Sequence, residues 1–281
     1  MLGAIIGDMV GSIYEFHPIK TKDFDIYNPN FHMTDDSLLT LSVMKVLLNH
    51  YPIKYDKESL ISIQNDLIKE FSNAYFLNKD IGFGSLFKKW AIDALNNKAK
   101  PYNSYGNGSA MRISPVAYIA NNEYELKLLS KTVTEITHNH IEGIKGAEAT
   151  SMCIYSALHN YSKEEIKDRI IKDYYPNIID LDFNDLVNNY KFDSTCQNSV
   201  PEAIYCFLIS NSLEETIRNC IAIGGDCDTI SAIAGSIAEA YYNKDKLSNL
   251  ENYYINNMID KDIVSFIKNF YKTININKFN N

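Results

Sequence analysis

Leu2-Gly-Ala-Ile-Ile-Gly-Asp-Met-Val-Gly11 is an apolar segment in which a glycine stands at every fourth position. Ser231 and Gly235 repeat this spacing in a second apolar segment, 228–242. A glycine inside a helix costs about 1 kcal/mol relative to alanine, and its repeated use is explained where two helix axes approach closely. Both segments are therefore predicted to be helices that lie deep in the core.

The rest of the chain shows helical periodicity rather than the alternation that is typical of strands. Predicted helices lie at 36–49, 59–76, 82–96, 123–137, 141–160, 163–173, 199–210, 213–222 and 260–272. Because no hairpin dipeptide joins alternating runs, very little β structure is expected. No linker, internal repeat or change of composition divides the chain. The sequence therefore predicts an all-α fold, a single compact helical bundle over residues 1–281.

Composition excludes several classes of protein. A net charge of −8 without a basic patch argues against a nucleic-acid partner or an anionic membrane surface. The five cysteines lack CxxC spacing and are expected to be reduced thiols. The segment 1–14 is interrupted by Asp8 and carries no basic residue, so a buried helix is expected rather than a signal peptide. A soluble, cytoplasmic protein is predicted.

Two clusters of carboxylates and hydroxyls stand just before predicted helices. They are Thr34-Asp35-Asp36-Ser37 and Gly224-Gly225-Asp226-Cys227-Asp228-Thr229. Helix capping explains one such side chain at each place, but not two carboxylates, which repel one another when packed together. A shared cation relieves that repulsion, and ligand sets made only of oxygen suit Mg²⁺ or Mn²⁺ rather than zinc. Joined in space, the clusters would form a two-metal hydrolytic centre.

Two glycine-containing loops are candidates for anion binding. Ser104-Tyr-Gly-Asn-Gly108 and Gly82-Phe-Gly-Ser85 each precede a helical run, where backbone N–H groups are free to bind an anion. Ordinary turn chemistry gives the same composition, and neither loop matches a Walker A or Rossmann pattern, so the pattern alone favours a structural role. His138, after Thr137, is either part of a polar helix junction or a donor to a phosphate or a sugar hydroxyl.

These motifs form an ordered set that extends over most of the chain. The set comprises GAIIGD at 3–8, GSIYEF at 11–16, TDDS at 34–37, SYGNGSAMR at 104–112, TH at 137–138 and GGDCDT at 224–229. In this order the motifs resemble the ADP-ribosylglycohydrolase (ADP-ribosylhydrolase) family, which includes the dinitrogenase-reductase-activating glycohydrolase. The resemblance implies an all-α bundle with a pair of Mg²⁺ or Mn²⁺ ions in a cleft that binds ADP-ribose.

The resemblance also implies a role for individual residues. The expected metal ligands are Thr34, Asp35, Asp36, Asp226, Asp228 and Thr229, with one carboxylate bridging the two ions. The expected catalytic carboxylates are Glu15 and Asp36. The expected contacts to ADP-ribose come from Gly82, Gly84, Ser104, Tyr105, Gly106, Asn107, Gly108 and His138, with Tyr105 near the distal ribose. Cys227 is a departure from the family pattern, and its place between two aspartates points it away from the ligands.

The activity implied is hydrolysis of the bond between ADP-ribose and an acceptor. ADP-ribosyl-arginine on protein is ranked first, although the wording of SYGNGSAMR and of GSIYE looks somewhat like the serine-directed branch. ADP-ribosyl-serine and O-acetyl-ADP-ribose remain alternatives, as do a non-catalytic ADP-ribose-binding relative and a two-metal phosphoesterase that cleaves the pyrophosphate. An ADP-ribosylated protein or small molecule is therefore the expected partner. Neither the pattern nor the resemblance predicts an oligomeric state.

Overall fold

A computed structural model of the chain describes residues 1–276, 278 and 279. Its helices are α1 (Leu2–Gly11), α2 (Asp35–Asn49), α3 (Lys57–Leu77), α4 (Ser85–Leu95), α5 (Gly108–Met111), α6 (Ser114–Ile119), α7 (Glu123–Thr134), α8 (Ile141–Leu158), α9 (Lys163–Asp173), α10 (Phe183–Asn189), α11 (Val200–Leu208), α12 (Leu213–Ile223), α13 (Cys227–Tyr242), α14 (Asn249–Asn257) and α15 (Lys261–Thr273). Within the described residues there is no β-strand, and a single bridge pairs Gly106 with Thr195. The predicted all-α class is confirmed.

Helices α1 and α13 form the centre of the fold and are packed backbone to backbone. All ten residues of α1 are buried, as are the residues of α13 up to Ala240. A Cβ atom added at Gly3 would lie 2.2 Å from the carbonyl oxygen of Gly235, and one added at Gly7 would lie 2.0 Å from that of Ser231. No side chain fits at these points, which confirms the close approach that the glycine spacing predicts.

A buried charged cluster closes the end of this helix pair away from the start of α13. Glu239 accepts hydrogen bonds from the amide of Gly3 at 2.7 Å and from the ammonium of Lys278 at 2.6 Å. It also pairs with the amino group of Met1. Burial alone would raise the pKa of Glu239, yet the two cations hold that pKa below its usual range. The charges in this part of the core are therefore paired.

Four helices lie outside the predicted set. They are α5, α6, α10 and α14, which are short and rich in residues with weak helix propensity. Helix α14 is also marked by a capping box, in which Ser248 and Glu251 satisfy each other's backbone N–H groups. The helix predicted over 82–96 begins three residues later, because 82–84 forms the loop that enters it. Tertiary contacts rather than apolar periodicity stabilise these short elements.

Two further expectations concern membrane-spanning helices and the state of the cysteines. Among the helices of the described residues, none combines the length and the hydropathy that crossing a bilayer requires. All five cysteines are buried in the core. Burial raises the pKa of the thiols of Cys153 and Cys227 well above the usual range, so these two side chains behave as small apolar groups.

Candidate functional site

The two acidic clusters meet at the end of α1, where α2 and α13 both begin. Oxygen atoms of Asp8, Asp36 and Asp228 lie within 4.8 Å of one another, and so do oxygen atoms of Glu15, Asp226 and Asp228. The hydroxyl of Thr229 donates to Asp36 at 3.3 Å. The predicted meeting of 34–36 with 226–229 is therefore confirmed, and Asp228 belongs to both carboxylate groups.

Asp8 holds the start of α2 in place. Its Oδ1 accepts from the hydroxyl of Thr34 at 2.6 Å, and its Oδ2 accepts from the amides of Thr34 and Ser37 at 3.0 and 3.1 Å and from the hydroxyl of Ser37. The sequence prediction left Asp8 out of the site. The signal was present, because a carboxylate inside an otherwise apolar helix needs buried partners.

The carboxylates of the site fit a divalent cation. Asp36 is buried, and its Oδ1 accepts no hydrogen bond from any residue that the structure describes. Burial, and then the neighbouring Asp8, Asp35 and Asp226, raise the pKa of Asp36 well above its usual range. The pKa of Asp228 is also raised well above its usual range, by burial and then by the charges of Asp36 and Asp226. A bound cation reverses these shifts and supplies the missing partner, and the donor atoms are all oxygens.

Glu15 differs from the aspartates because it is only half buried. Burial raises its pKa to about 7, and the charges of Asp226, Asp35 and Asp8 add to that shift. It lies in the turn that follows α1 and lines the cleft together with the aspartates. A carboxyl group with such a pKa exchanges protons near neutral pH, which is what a general acid or base requires.

The remaining predicted ligands lie in the same cleft but differ in their partners. Thr34 caps α2, and its hydroxyl accepts from the amide of Asp36 at 3.3 Å while it donates to Asp8. Asp35 lines the cleft, and burial followed by the charge of Asp8 raises its pKa to about 7. It lies outside both carboxylate groups of the described chain. Asp226 accepts from the side-chain amide of Asn107 at 2.8 Å.

The 104–108 loop is fixed to the acidic clusters and to a distant segment. Asn107 joins it to the clusters through the bond to Asp226, and the amide of Asn107 donates to the carbonyl of Ser194 at 2.8 Å. The amide of Cys196 donates to the carbonyl of Tyr105 at 2.9 Å. Loop residues Ser104, Gly106 and Asn107 line the cleft, whose volume of about 600 Å³ is in the range of ligand-binding pockets.

His138 presents a hydrogen-bond donor to this loop. Arg112 donates from Nη2 to the Thr137 hydroxyl at 2.6 Å, and that hydroxyl lies 2.8 Å from Nδ1 of His138. The guanidinium can only donate, and the hydroxyl has two acceptors in reach, Nδ1 at 2.8 Å and the carbonyl of Thr134 at 3.4 Å. The shorter contact favours a hydroxyl that donates to Nδ1, which places the ring proton on Nε2. Nε2 lies beside Gly106 and Gly108. Burial, aided by the charge of Arg112, lowers the pKa of His138 well below its usual range, so the ring is neutral.

The second predicted loop, 82–85, leads into α4 and lies in the same cleft. Gly82 and Gly84 both line the cleft, with Asp35 Oδ1 3.9 Å from a Cβ added at Gly82 and open space around Gly84. Gly84 is the N-cap of α4, and the first amides of a helix lack partners within it. This geometry suits an anion at the start of α4.

Tyr105 is the one predicted contact whose side chain is not among the cleft-lining residues of the described chain. Its ring is exposed and packs edge-on against His140, with centroids 5.3 Å apart. Sequence reasoning also missed several residues that line the cleft. They are Ser12, Phe16, His32, Arg112, Phe192 and Ser194. Phe192 and Ser194 come from a polar connection with no motif of its own, so only the folded chain shows their place.

Nearly the whole sequence matches a known protein family. A sequence model described as ADP-ribosylglycohydrolase matches residues 1–271. The chain belongs to the ADP-ribosylglycohydrolase family. It is therefore a glycosidic-bond hydrolase by family, and the enzyme class that the resemblance implies is confirmed.

Individual relatives agree with this assignment. The chain is 25% identical to the mouse ADP-ribosylhydrolase ARH3 over 88% of its own length and 84% of the relative's, and 25% identical to the human ARH3 over 88% and 85%. It is 22% identical to the ADP-ribosylarginine hydrolase Tri1 of Pseudomonas putida, over 86% and 69%. A solved structure, an ADP-ribosylglycohydrolase-related protein complex, shares the fold with a TM-score of 0.72, 97% coverage of both chains and 19% identity.

Proposed function

We propose that the protein is a Mg²⁺-dependent hydrolase that releases ADP-ribose from ADP-ribosyl-arginine on proteins. One observation carries the proposal. The two carboxylate groups that share Asp228 lie in the same cleft as two glycine loops suited to phosphate, and Asn107 joins one loop to Asp226 directly. A substrate held by its pyrophosphate along the loops therefore has its sugar beside the carboxylates.

Two metal ions are supported by the overlap of the carboxylate groups. Asp8, Asp36 and Asp228 would hold one ion, Glu15, Asp226 and Asp228 the other, and Asp228 would bridge them. Thr34, Asp35 and Thr229 stay predicted ligands of the same pair. When bound, Mg²⁺ or Mn²⁺ would orient the ribose hydroxyls and acidify a coordinated water. The all-oxygen donor set favours these ions over zinc.

In this proposal the two loops and His138 bind the ADP-ribose part of the substrate. The Nε2–H of the neutral His138 is aimed at Gly106 and Gly108, where it donates to a phosphate or ribose oxygen. The amides at the start of α4, after Gly84, offer further donors to the pyrophosphate. Tyr105, at the rim, remains a predicted contact to the distal part of the ligand.

Glu15 is the proposed general base, and Asp36 the alternative. In the reaction, a water oxygen bonds to the anomeric carbon, the bond from that carbon to the acceptor breaks, and the acceptor leaves with a proton. Glu15 accepts the proton of the water and returns it to the departing acceptor, a role that fits its place in the cleft and its half-exposed side chain. Asp36 is fully buried, which suits a ligand better than a proton carrier.

Charge in the cleft favours a cationic acceptor. Among the described residues that line it, the carboxylates are Glu15, Asp35, Asp36, Asp80, Asp226 and Asp228, and Asp8 lies directly behind them. Their combined charge exceeds that of two divalent ions together with Arg112, so the cleft attracts a positively charged side chain such as arginine. The relative named ADP-ribosylarginine hydrolase agrees with this choice of acceptor.

The deciding experiment is product analysis by mass spectrometry. ADP-ribosyl-arginine and ADP-ribosyl-serine peptides, and O-acetyl-ADP-ribose, are incubated with the protein in Mg²⁺ and in chelator. We expect free ADP-ribose from the arginine peptide in Mg²⁺ only. AMP, with the ribose phosphate left on the acceptor, would establish the phosphoesterase instead. Binding of ADP-ribose without release from any substrate would establish the non-catalytic relative, and faster release from serine would reassign the acceptor.

A further inference from the structure

Two phenylalanines form an exposed stacked pair at the mouth of the cleft. Phe16 and Phe192 both line the cleft, yet 70% and 50% of their surfaces are exposed. Their rings stack with centroids 6.0 Å apart and planes 25° from parallel. Single exposed apolar residues are common on protein surfaces, but two segments far apart in the chain here place aromatic rings against each other beside a polar cleft.

The pair is held by well-defined contacts of the segments that carry it. Lys20 lies four residues after Phe16, and its ammonium donates to the carbonyls of Tyr190 and Ile223 at 2.8 and 2.5 Å. Tyr190 lies two residues before Phe192 and packs on Gly225, where an added Cβ would come 2.4 Å from its ring. These contacts anchor the backbone segments that carry the two phenylalanines, and an anchored segment lowers the entropy cost of a contact.

The position of the pair identifies the part of the substrate that it faces. The loops 82–85 and 104–108 account for the pyrophosphate end, and Glu15 marks the reacting carbon, since it belongs to a carboxylate group with Asp226 and Asp228. Phe16 is the next residue after Glu15. On the proposed function, the acceptor attached to that carbon is therefore the part of the substrate nearest to Phe16. A small acceptor such as an acetyl group would not extend beyond the mouth of the cleft, whereas a polypeptide acceptor would continue over the surface beside Phe16.

We infer that Phe16 and Phe192 form an acceptor platform that contacts the polypeptide around the ADP-ribosylated residue. The inference rests on the proposed function and deepens it, since it makes a peptide rather than a small molecule the preferred acceptor. Aromatic faces pack on the aliphatic stem and the planar guanidinium of an arginine and on apolar neighbours in the peptide.

The test compares two substrates with the same bond to be cleaved. The kcat/KM of an ADP-ribosyl-arginine peptide is divided by that of free ADP-ribosyl-arginine, for the wild type and for Phe16→Ala, Phe192→Ala and Phe16→Tyr. Tyr124→Ala is the matched control, because Tyr124 is an exposed aromatic residue of α7 outside the cleft. The inhibition constant of ADP-ribose is measured for each variant.

We expect the ratio to fall about tenfold in both alanine variants, the size of effect that an aromatic contact at an interface provides. Phe16→Tyr should restore most of it, Tyr124→Ala should leave it unchanged, and ADP-ribose should inhibit all variants alike. Equal losses on both substrates would mean that the pair only positions Glu15 and would overturn the inference. So would a wild-type ratio near one.

Failure of the proposed function gives a different result. A wild type that cleaves neither substrate refutes the enzyme, and the platform is then tested by affinity. A fluorescent ADP-ribosylated peptide should bind more tightly than ADP-ribose, and Phe16→Ala and Phe192→Ala should abolish that difference. Equal affinities for peptide and ADP-ribose in the wild type would refute the platform as well.

Discussion

Asp8 and Asp36 are neighbouring carboxylates that differ in how far the chain itself satisfies their oxygens. Both carboxylate oxygens of Asp8 accept hydrogen bonds from Thr34 and Ser37, and these bonds fix the first turn of α2. Asp36, within reach of it, keeps Oδ1 without a partner among the described residues. A buried, unpaired carboxylate oxygen is costly, so its persistence is explained by a ligand that the site is built to bind.

Asparagine substitutions separate a metal ligand from a helix cap. Asn caps a helix about as well as Asp but lacks the charge that a divalent ion requires. We expect Asp36→Asn and Asp228→Asn to abolish ADP-ribose release while the metal-free variants melt at or slightly above the wild-type temperature, since repulsion among the carboxylates is relieved. Activity is followed against Mg²⁺ concentration beside a thermal melt.

Asp56→Asn is the control for that pair, because Asp56 caps α3 on the surface, whereas Asp36 and Asp228 lie in the first turns of α2 and α13 after the caps Thr34 and Asp226. It should change neither activity nor melting by more than a small amount. Activity that survives both Asp36→Asn and Asp228→Asn, or a wild type indifferent to chelator, contradicts the metal mechanism.

Thr137 sets the tautomer of His138, and its hydroxyl can be removed without a change of shape. In Thr137→Val the Nη2 of Arg112 loses its acceptor and Nδ1 of His138 loses its donor. We expect a loss of about 1–3 kcal/mol in the free energy of unfolding, the cost of a buried unpaired group, and a several-fold weaker affinity for ADP-ribose. Calorimetry measures the affinity and ¹⁵N NMR the protonated nitrogen.

Thr137→Ser keeps the hydroxyl and should restore the affinity for ADP-ribose. If Thr137→Val keeps both the wild-type affinity and the proton on Nε2, the hydroxyl does not control the ring.

The packing of α1 on α13 carries the metal site as well as the core. An added Cβ at Gly11 would lie 2.3 Å from the Cα of Asp228, whereas one at Gly3 would strike Gly235 at the other end of the helix pair. Both are collisions with backbone, and overpacking typically costs about 1–3 kcal/mol. Only the first collision displaces a predicted ligand. The same helix therefore offers a matched pair of substitutions.

We expect Gly3→Ala and Gly11→Ala to lower the melting temperature to a similar degree, but only Gly11→Ala to weaken metal binding. Binding is measured by titration with Mn²⁺ and electron paramagnetic resonance at a temperature where both variants are folded. Equal metal affinities in the two variants would show that α13 shifts as a rigid unit and that Asp228 does not depend on Gly11.

Across the whole molecule, the sequence predicted the parts whose causes are local. Glycine spacing in α1 and α13 and the carboxylate clusters gave the central packing and the cleft, because each is a property of a few neighbouring residues. Asp8 was missed because its partners lie on another helix. The place of Phe192 depends on how 190–198 packs against the cleft, and α10 is stabilised by tertiary contacts. Such non-local contacts leave no periodic signal.

The stability of the whole molecule should depend on pH in a way that a divalent ion reverses. In the metal-free protein the folded pKa values of Glu15 and Asp35 are about 7, above the ordinary 4.5 and 3.8, and those of Asp36 and Asp228 are also raised. At a pH between the ordinary pKa values and the raised ones, the folded state binds more protons than the unfolded state. The contribution of these carboxylates to stability therefore falls as the pH rises from about 4 through 7.

A bound ion favours the ionised carboxylates and removes this loss, so the stabilisation by Mg²⁺ should grow with pH. Melting temperatures are measured from pH 5 to 8 in Mg²⁺ and in chelator at equal ionic strength, and the difference is plotted. Groups remote from the site, such as Glu239 at the other end of the helix pair, contribute equally to both curves and cancel. The double variant Asp36→Asn, Asp228→Asn should give a small, flat difference. A wild-type difference that is constant or shrinks towards pH 8 would show that these carboxylates are not the ligands.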